Sequence, residues 1–445
     1  MQPVTVIITY FLVIVAVGIY SFFSIKTPAD YYVAGKNAGW LPVSGSLLAT
    51  ILGGSAILGT IELSRQIGWA GLWFLFCAAL GLFILAPLSK YVQRYGKFTL
   101  PELLGYFFGR KAELTASVII PVAWLGIVAA QIIAAAKILS GLDVLSYSNG
   151  ALLAGAVFIL YTLIGGQVSI LKTDTIQSVL IIAGLIILSV VSARTVQFDK
   201  MDAFHPKLLF NASFNFLDLI ILLLTYSVTF VVGPDIYSRI FCAKNEKTAR
   251  TSVLAVAVIL IPVSFVLTYL GIFSGQTEEK EIIAFAGDLL PGWFYGLFLA
   301  ALLSAVMSSA DTTLLTSSLI LSELIAGDPD NRRSLMLTRL LIVFMGLLSV
   351  VIALFITSIL DSLLLALTFF SGAFVVPMLA GLLQLKVARN QVFPAIISGG
   401  IVALSGKLLN YFYEPLLGNL VIVLAFAINA AILFIPFRKK RFRKF

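Results

Sequence analysis

The sequence predicts an all-α polytopic membrane protein with about thirteen transmembrane helices, and three observations predict it. Hydrophobic residues make up 60% of the 445 and charged residues only 11%, against about 25% charged in a soluble domain. The apolar runs are about 20 residues long, the length of a helix that crosses a bilayer, and lack the alternation of the ten-residue strands in a membrane β-barrel. Basic residues gather on every second connection, as they do on the cytoplasmic side of a membrane protein.

In order, the spans fall near 3–24, 40–64, 69–92, 113–140, 149–166, 173–193, 214–240, 250–275, 293–322, 334–357, 360–385, 391–411 and 416–437. They form a single membrane-embedded unit over residues 1–445. The first has no basic n-region and no small-residue cleavage site, so it reads as a retained helix and not a signal peptide. Trp40, Trp69 and Trp293 stand near span ends, where aromatic belts form. With the N-terminus outside, the inner connections hold roughly 23 of the 30 basic residues, Arg239 among them. An outer connection holds the acidic run Glu278-Glu279-Lys280-Glu281. The C-terminus is then cytoplasmic, in a plasma (cell inner) membrane.

This asymmetry accounts for the net charge of +9, so no nucleic-acid partner is implied. The tail Arg438–Lys444 reads as an anchor on anionic membrane lipid. Cys77, Cys242 and the one histidine, His205, offer neither a disulfide framework nor a metal-ligand spacing. No phosphate loop or nucleophile elbow is present, so no cofactor, enzymatic activity or ATP-driven transport is expected.

Chemistry concentrates in two spans. The ninth carries Ser304, Ser308, Ser309, Asp311, Thr312 and Thr313 inside an apolar run. Asp at the centre of a membrane helix costs about 2.5–3.5 kcal/mol, so it faces the bundle interior. Ser308, Asp311 and Thr312 are i, i+3 and i+4, on one helical face. An oxygen-rich face with one carboxylate suits a small hard cation. The second span contains Gly53-Gly54-Ser55 and Gly59. These glycines fit a broken helix that frees carbonyls for an ion, and equally close packing through small residues. Asp174 fits a helix cap as well as a functional carboxylate. Gln131, at membrane depth, needs a partner, either a neighbouring helix or a solute. Glu62 and Arg65 read as a charge pair near the outer surface, and Lys137 as a side chain that snorkels outward.

Several stretches together resemble the sodium:solute symporter family. Thr27-Pro-Ala-Asp-Tyr-Tyr-Val-Ala-Gly-Lys36 resembles its first-loop signature, and Leu47-Leu-Ala-Thr50 with Gly59 its first core helix. Gly165-Gly166 with Thr173-Asp174 and Gln177, the run Gly233-Pro-Asp-Ile-Tyr-Ser-Arg239, and Met307-Ser-Ser-Ala-Asp-Thr312 follow in the family's order. The resemblance implies a five-plus-five inverted-repeat core of the LeuT type, with repeats at about 40–193 and 214–385. The helices at about 3–24, 391–411 and 416–437 are then peripheral. It also implies alternating access and symport of a small organic solute with sodium as coupling ion.

Carried over by position, the first sodium site would use carbonyls of Ala49, Leu52 and Ala305 and hydroxyls of Ser308 and Ser309. A second cation site would use Asp174, Ser308, Asp311 and Thr312. Where the sugar carriers have polar residues, this chain has Ser55, Ala56, Ala78 and Gly81. A solute pocket of Ser55, Gln131, Tyr226 and Phe230 suits an amino acid or a short carboxylate better than a sugar. No buried arginine stands out to bind a carboxylate, a role left to helix ends or the sodium ion. The alternatives are proton-coupled symport on the same fold and a transporter-like solute sensor.

Overall fold

A computed structural model describes residues 3–23, 25–142, 145–195, 205–276, 281–327 and 332–435. The basic tail and residues 278–280 of the acidic run lie outside the described residues. The N-terminal half contains α1 (Pro3–Phe22), α2 (Pro28–Val33), α3 (Trp40–Ile51), α4 (Gly54–Ile67), α5 (Leu72–Tyr95), α6 (Leu100–Phe108), α7 (Arg110–Ser140) and α8 (Tyr147–Thr195). There follow α9 (Phe216–Leu222), α10 (Val228–Val232), α11 (Pro234–Cys242), α12 (Glu246–Gln276) and α13 (Ile282–Leu289). The remainder is α14 (Gly292–Ala326), α15 (Arg332–Phe355), α16 (Ile359–Leu382), α17 (Arg389–Phe412) and α18 (Pro415–Phe434).

Among the described residues, 11 helical runs are long and apolar enough to cross a membrane, where the sequence predicts about thirteen spans. The difference lies in two runs of 42 and 48 residues, Gly54–Tyr95 and Tyr147–Arg194. About 20 residues suffice for one crossing, so each run has the length of two. Gly68 (φ 62°, ψ −138°) interrupts the first, and Gly166 (φ 53°, ψ −176°) the second. The bend at Gly166 is sharp. The Tyr161 hydroxyl donates to Thr173 Oγ1 at 2.9 Å, whereas twelve residues of straight helix span about 18 Å, beyond the reach of both side chains.

The signature around Asp30 explains what packs into that bend. Thr27 caps α2, and the Asp30 carboxylate accepts from the amides of Lys26 (3.1 Å) and Thr27 (2.9 Å). The short helix is thereby held so that Tyr31 and Tyr32 are buried. The Tyr31 hydroxyl donates to the Thr162 carbonyl at 3.2 Å, and a Cβ on Gly166 would lie 2.5 Å from the Tyr31 ring.

Two membrane helices are broken in mid-course. One is α3–α4, where Leu52 (φ −79°, ψ 40°) and Gly53 (φ −60°, ψ 163°) leave helical geometry. The other is the run α9–α11, which passes through a π-helical turn at Leu223–Ser227 and breaks at Gly233 (φ −69°, ψ 130°) before Pro234. Proline suits the first position of the new helix, since its missing N–H is unpaired there anyway. Both breaks lie beside α14, whose residues from Gly296 to Glu323 are almost all buried. This helix packs on α1, α3, α4, α7, α8 and α15. By contrast, α17 and α18 pack chiefly on each other and on α16.

Gly53 and Gly54 perform both jobs considered for them. The helix breaks there, and it also closes on α14: a Cβ on Gly54 would overlap Val306 Cγ2, and one on Gly53 would lie 2.7 Å from Ser309 Oγ.

Gly166→Ala is expected to lower stability by about 1–3 kcal/mol, because only glycine adopts this backbone freely and the Tyr31 ring fills the added methyl's place. A thermal melt of the purified protein in detergent checks it; an unchanged midpoint would refute the bend.

Candidate functional site

The break in α3–α4 exposes oxygen. The last four carbonyls of a helix have no intrahelical donor, and in α3 the Leu52 amide, which reaches Leu48 O at 2.9 Å, ends the ladder. The carbonyls of Ala49 and Leu52 belong to that freed turn. Opposite, on α14, stand Ala305, Ser308 and Ser309, all buried. Ser309 is the side chain that touches Gly53. The Ser308 hydroxyl is buried without a hydrogen-bond partner, and so is the Thr50 hydroxyl. Freed carbonyls and unpartnered hydroxyls leave acceptor oxygens free to satisfy a small hard cation. Of the residues expected at the first ion site, Ser309 lies against the broken turn at Gly53, and the Ser308 hydroxyl lies toward Asp174.

The residues of the second site meet a positive charge already supplied by the protein. Asp174 lies well inside the second arm of α8, so it does not cap that helix. Its Oδ2 accepts from Ser46 Oγ at 2.5 Å and from Arg239 Nη2 at 3.0 Å. The Ser308 hydroxyl stands near this carboxylate without completing a hydrogen bond to it. Arg239 also donates through Nε to Ser46 Oγ (3.0 Å), through Nη1 to Ser238 Oγ (3.1 Å) and through Nη2 to Thr312 Oγ1. Thr312 in turn donates to the Ser308 carbonyl at 2.9 Å. Asp311 is held apart from the pair, its Oδ1 accepting from Thr162 Oγ1 at 3.2 Å.

Two expectations are corrected here. Arg239 does not belong to an inner connection, and the protein does contain a buried arginine: its exposure is 0%. The break at Gly233 redirects α11, so that a residue counted as cytoplasmic turns into the bundle. Of the four residues assigned to a second cation, Asp174 and Thr312 are both bonded to the guanidinium.

Ser55, Gln131, Tyr226 and Phe230 line one cavity of about 50 Å³, together with Trp124 and Asp235. That volume holds several waters or a compact solute group. Gln131 Nε2 donates to Ser55 Oγ at 2.7 Å, and the Ser55 amide donates to Gln131 Oε1 at 3.2 Å. Gln131 is therefore both a helix-to-helix partner and part of the cavity wall. Tyr226 stacks on Phe74 (4.3 Å between ring centroids) and meets Phe230 edge-on at 5.0 Å. Ser309 lines this cavity as well, so the ion site and the cavity share a residue.

Toward the C-terminal end of α4, Glu62 Oε2 lies 3.8 Å from Lys137 Nζ, so the ion-pair partner of Glu62 is Lys137, where Arg65 was expected. Sequence reasoning missed Arg239, Asp235, Trp124 and Thr50 as residues of the site. The available signal was Gly233-Pro234 followed by charges at 235 and 239, one helical turn apart within an apolar run.

The sodium:solute symporter family profile matches residues 31–399. The osmoregulated proline transporter OpuE of Bacillus subtilis (strain 168) is 24% identical over 338 residues, covering 71% of this chain and 69% of that protein. A sodium/proline symporter of Haemophilus influenzae is 26% identical, covering 69% and 67%. Among solved structures, a Na+-coupled sialic acid symporter in a substrate-bound outward-open state superimposes with a TM-score of 0.79 at 18% identity, covering 98% of both chains.

Arg239→Gln is expected to cost about 3–5 kcal/mol, because it strands a buried carboxylate. Combining it with Asp174→Asn restores part of the loss. Melting midpoints of the wild type, both single variants and the double variant measure this; equal losses that simply add would disprove the pairing.

Proposed function

The chain belongs to the sodium:solute symporter family, and from that premise we propose that it carries sodium and an amino acid together across the cell membrane. Sodium-coupled symport of a small organic solute is the function its family and curated relatives support. The amino-acid class is our reading of the cavity, supported by the proline symporters among the relatives. We place the N-terminus outside and the C-terminus in the cytoplasm, on the distribution of basic residues.

The observation that carries the proposal is the approach of Ser309 on α14 to Gly53 in the broken turn of α3–α4, with the Thr50 and Ser308 hydroxyls of the same two elements buried without a partner. In our reading sodium binds there, held by the carbonyls of Ala49, Leu52 and Ala305 and the hydroxyls of Ser308 and Ser309. It draws the broken turn onto α14. Ser55, three residues past Leu52, is tied to Gln131, so ordering the turn also orders the cavity wall. Ion and solute then favour the same arrangement of α3, α4 and α14, and each raises the other's affinity, as reciprocal coupling requires. Arg239 provides the positive charge for Asp174 that a second cation would otherwise bring.

Proteoliposomes with an imposed inward sodium gradient are expected to accumulate labelled L-proline or L-alanine. Ser308→Ala is expected to raise the half-saturating sodium concentration roughly tenfold or more, since a ligand to a charged species is lost. Uptake that follows a pH gradient without sodium, and disappears in Asp311→Asn, would establish proton coupling in its place.

A further inference from the structure

We propose that Asp235 seats an ammonium group of the solute, so that this cavity takes amine-bearing solutes, zwitterionic amino acids above all, and rejects simple carboxylates and sugars. The inference rests on the reading of the cavity as the solute site and deepens it.

Asp235 is the second residue of α11, immediately after the break at Gly233-Pro234, and it lines the cavity. Among the described residues, no lysine, arginine or histidine nitrogen lies within 4.0 Å of its carboxylate. Arg239 is one turn further along the same helix, but its guanidinium is committed to Asp174, Ser46, Ser238 and Thr312. Of the neutral polar groups of the wall, the Thr50 hydroxyl and Trp124 Nε1 are buried without a partner, while others are answered within the protein. Ser55 and Gln131 bond each other, and Thr229 Oγ1 donates to the Tyr226 carbonyl at 2.5 Å. Among the described residues, the charged side chain lining the cavity is therefore a carboxylate that has helix-start amides and the more distant charge of Arg239, but no ion-pair partner within 4.0 Å.

A carboxylate at membrane depth requires a counter-charge to be held ionised, and this one lines a cavity that a ligand can enter. The rest of the wall suits a cation too. Tyr226, Phe230 and Trp124 border the same space, and aromatic faces attract an ammonium through their quadrupoles. A solute carrying only a carboxylate would add a second negative charge there. A sugar would leave Asp235 without a counter-charge.

Two further partners compete for this carboxylate, and each leaves a different signature. The first is the start of its own helix, where the amides of Asp235 and Ile236 face the acid; that contact is indifferent to the solute. The second is the coupling sodium, held close by through Ser309, and in that case sodium affinity itself would depend on the carboxylate.

Isothermal titration calorimetry on the full-length protein in saturating sodium separates these cases, with matched pairs as probes: L-alanine against propionate, L-proline against cyclopentanecarboxylate, and glucose as a neutral control. The wild type is expected to bind the amine of each pair and discriminate against its deaminated partner. Asp235→Asn is expected to weaken amine binding roughly 10- to 100-fold and to collapse the ratio within each pair, the melting midpoint and solute-free sodium binding being unchanged. Asp235→Glu keeps the charge and is expected to retain the preference, which covers a poorly folded Asn variant.

Equal ratios in the wild type and Asp235→Asn would overturn the assignment, as would a loss of sodium affinity matching the loss of solute affinity. If propionate or glucose binds with sodium and Asp235→Asn changes nothing, the ammonium seat falls while the solute cavity stands. If none of the probes binds with sodium, the reading of the cavity falls with it.

Discussion

The buried pair of Asp174 and Arg239 is the interaction on which the arrangement of the core depends. Its members come from α8 and α11, and its remaining bonds run to Ser46 on α3, Thr312 on α14 and Ser238 on α11 itself. In a membrane interior a charge that loses its partner finds no water to replace it, so four helices are held to positions in which every member of this cluster is satisfied. Two of those helices, α3 and α11, are single arms of broken helices. Fixing them fixes where the breaks point: the broken turn at Gly53 meets Ser309, and the start of α11 faces the cavity.

Small residues make the same arrangement possible from the packing side. Without a hydrophobic force between helices in lipid, close association depends on backbones approaching through glycine, alanine and serine. Gly53 and Gly54 against Ser309 and Val306, and Gly184 against Ala301, are such approaches. A methyl group at Gly54 would push α4 off α14 and separate the carbonyls from the hydroxyls they face. The proposed ion site and the cavity therefore depend on one packing contact, joined by Ser309 and by the bond between Gln131 and Ser55.

Much of this was legible in the residues. Apolar run length and the placement of Lys and Arg describe a helical membrane bundle, and the hydroxyls of α14 with Asp311 mark the helix that lies at its centre. The four solute positions, Ser55, Gln131, Tyr226 and Phe230, converge on one cavity as expected. Arg239 was not legible, because charge-counting assigns a basic residue at the end of a span to the membrane surface. Only the turn at Gly233 carries it inward. Asp235 was hidden for the same reason, since it follows the break and not the apolar run. The pairing of Lys137 with Glu62 was not legible, because the two are 75 positions apart in sequence and nearby Arg65 was the local candidate.

The sequence alone determined what kind of solvent this protein lives in, that its apolar elements are helices long enough to cross it, and where polar groups interrupt them. Those follow from local quantities: hydropathy over about 20 residues and the cost of a charge in lipid. Which polar groups meet was decided only by the tertiary structure. Ser46, Asp174, Arg239 and Thr312 are widely separated in the chain, and no local preference pairs them. Each is buried at a cost that partners distant in sequence offset, so their assignment belongs to the packed bundle as a whole.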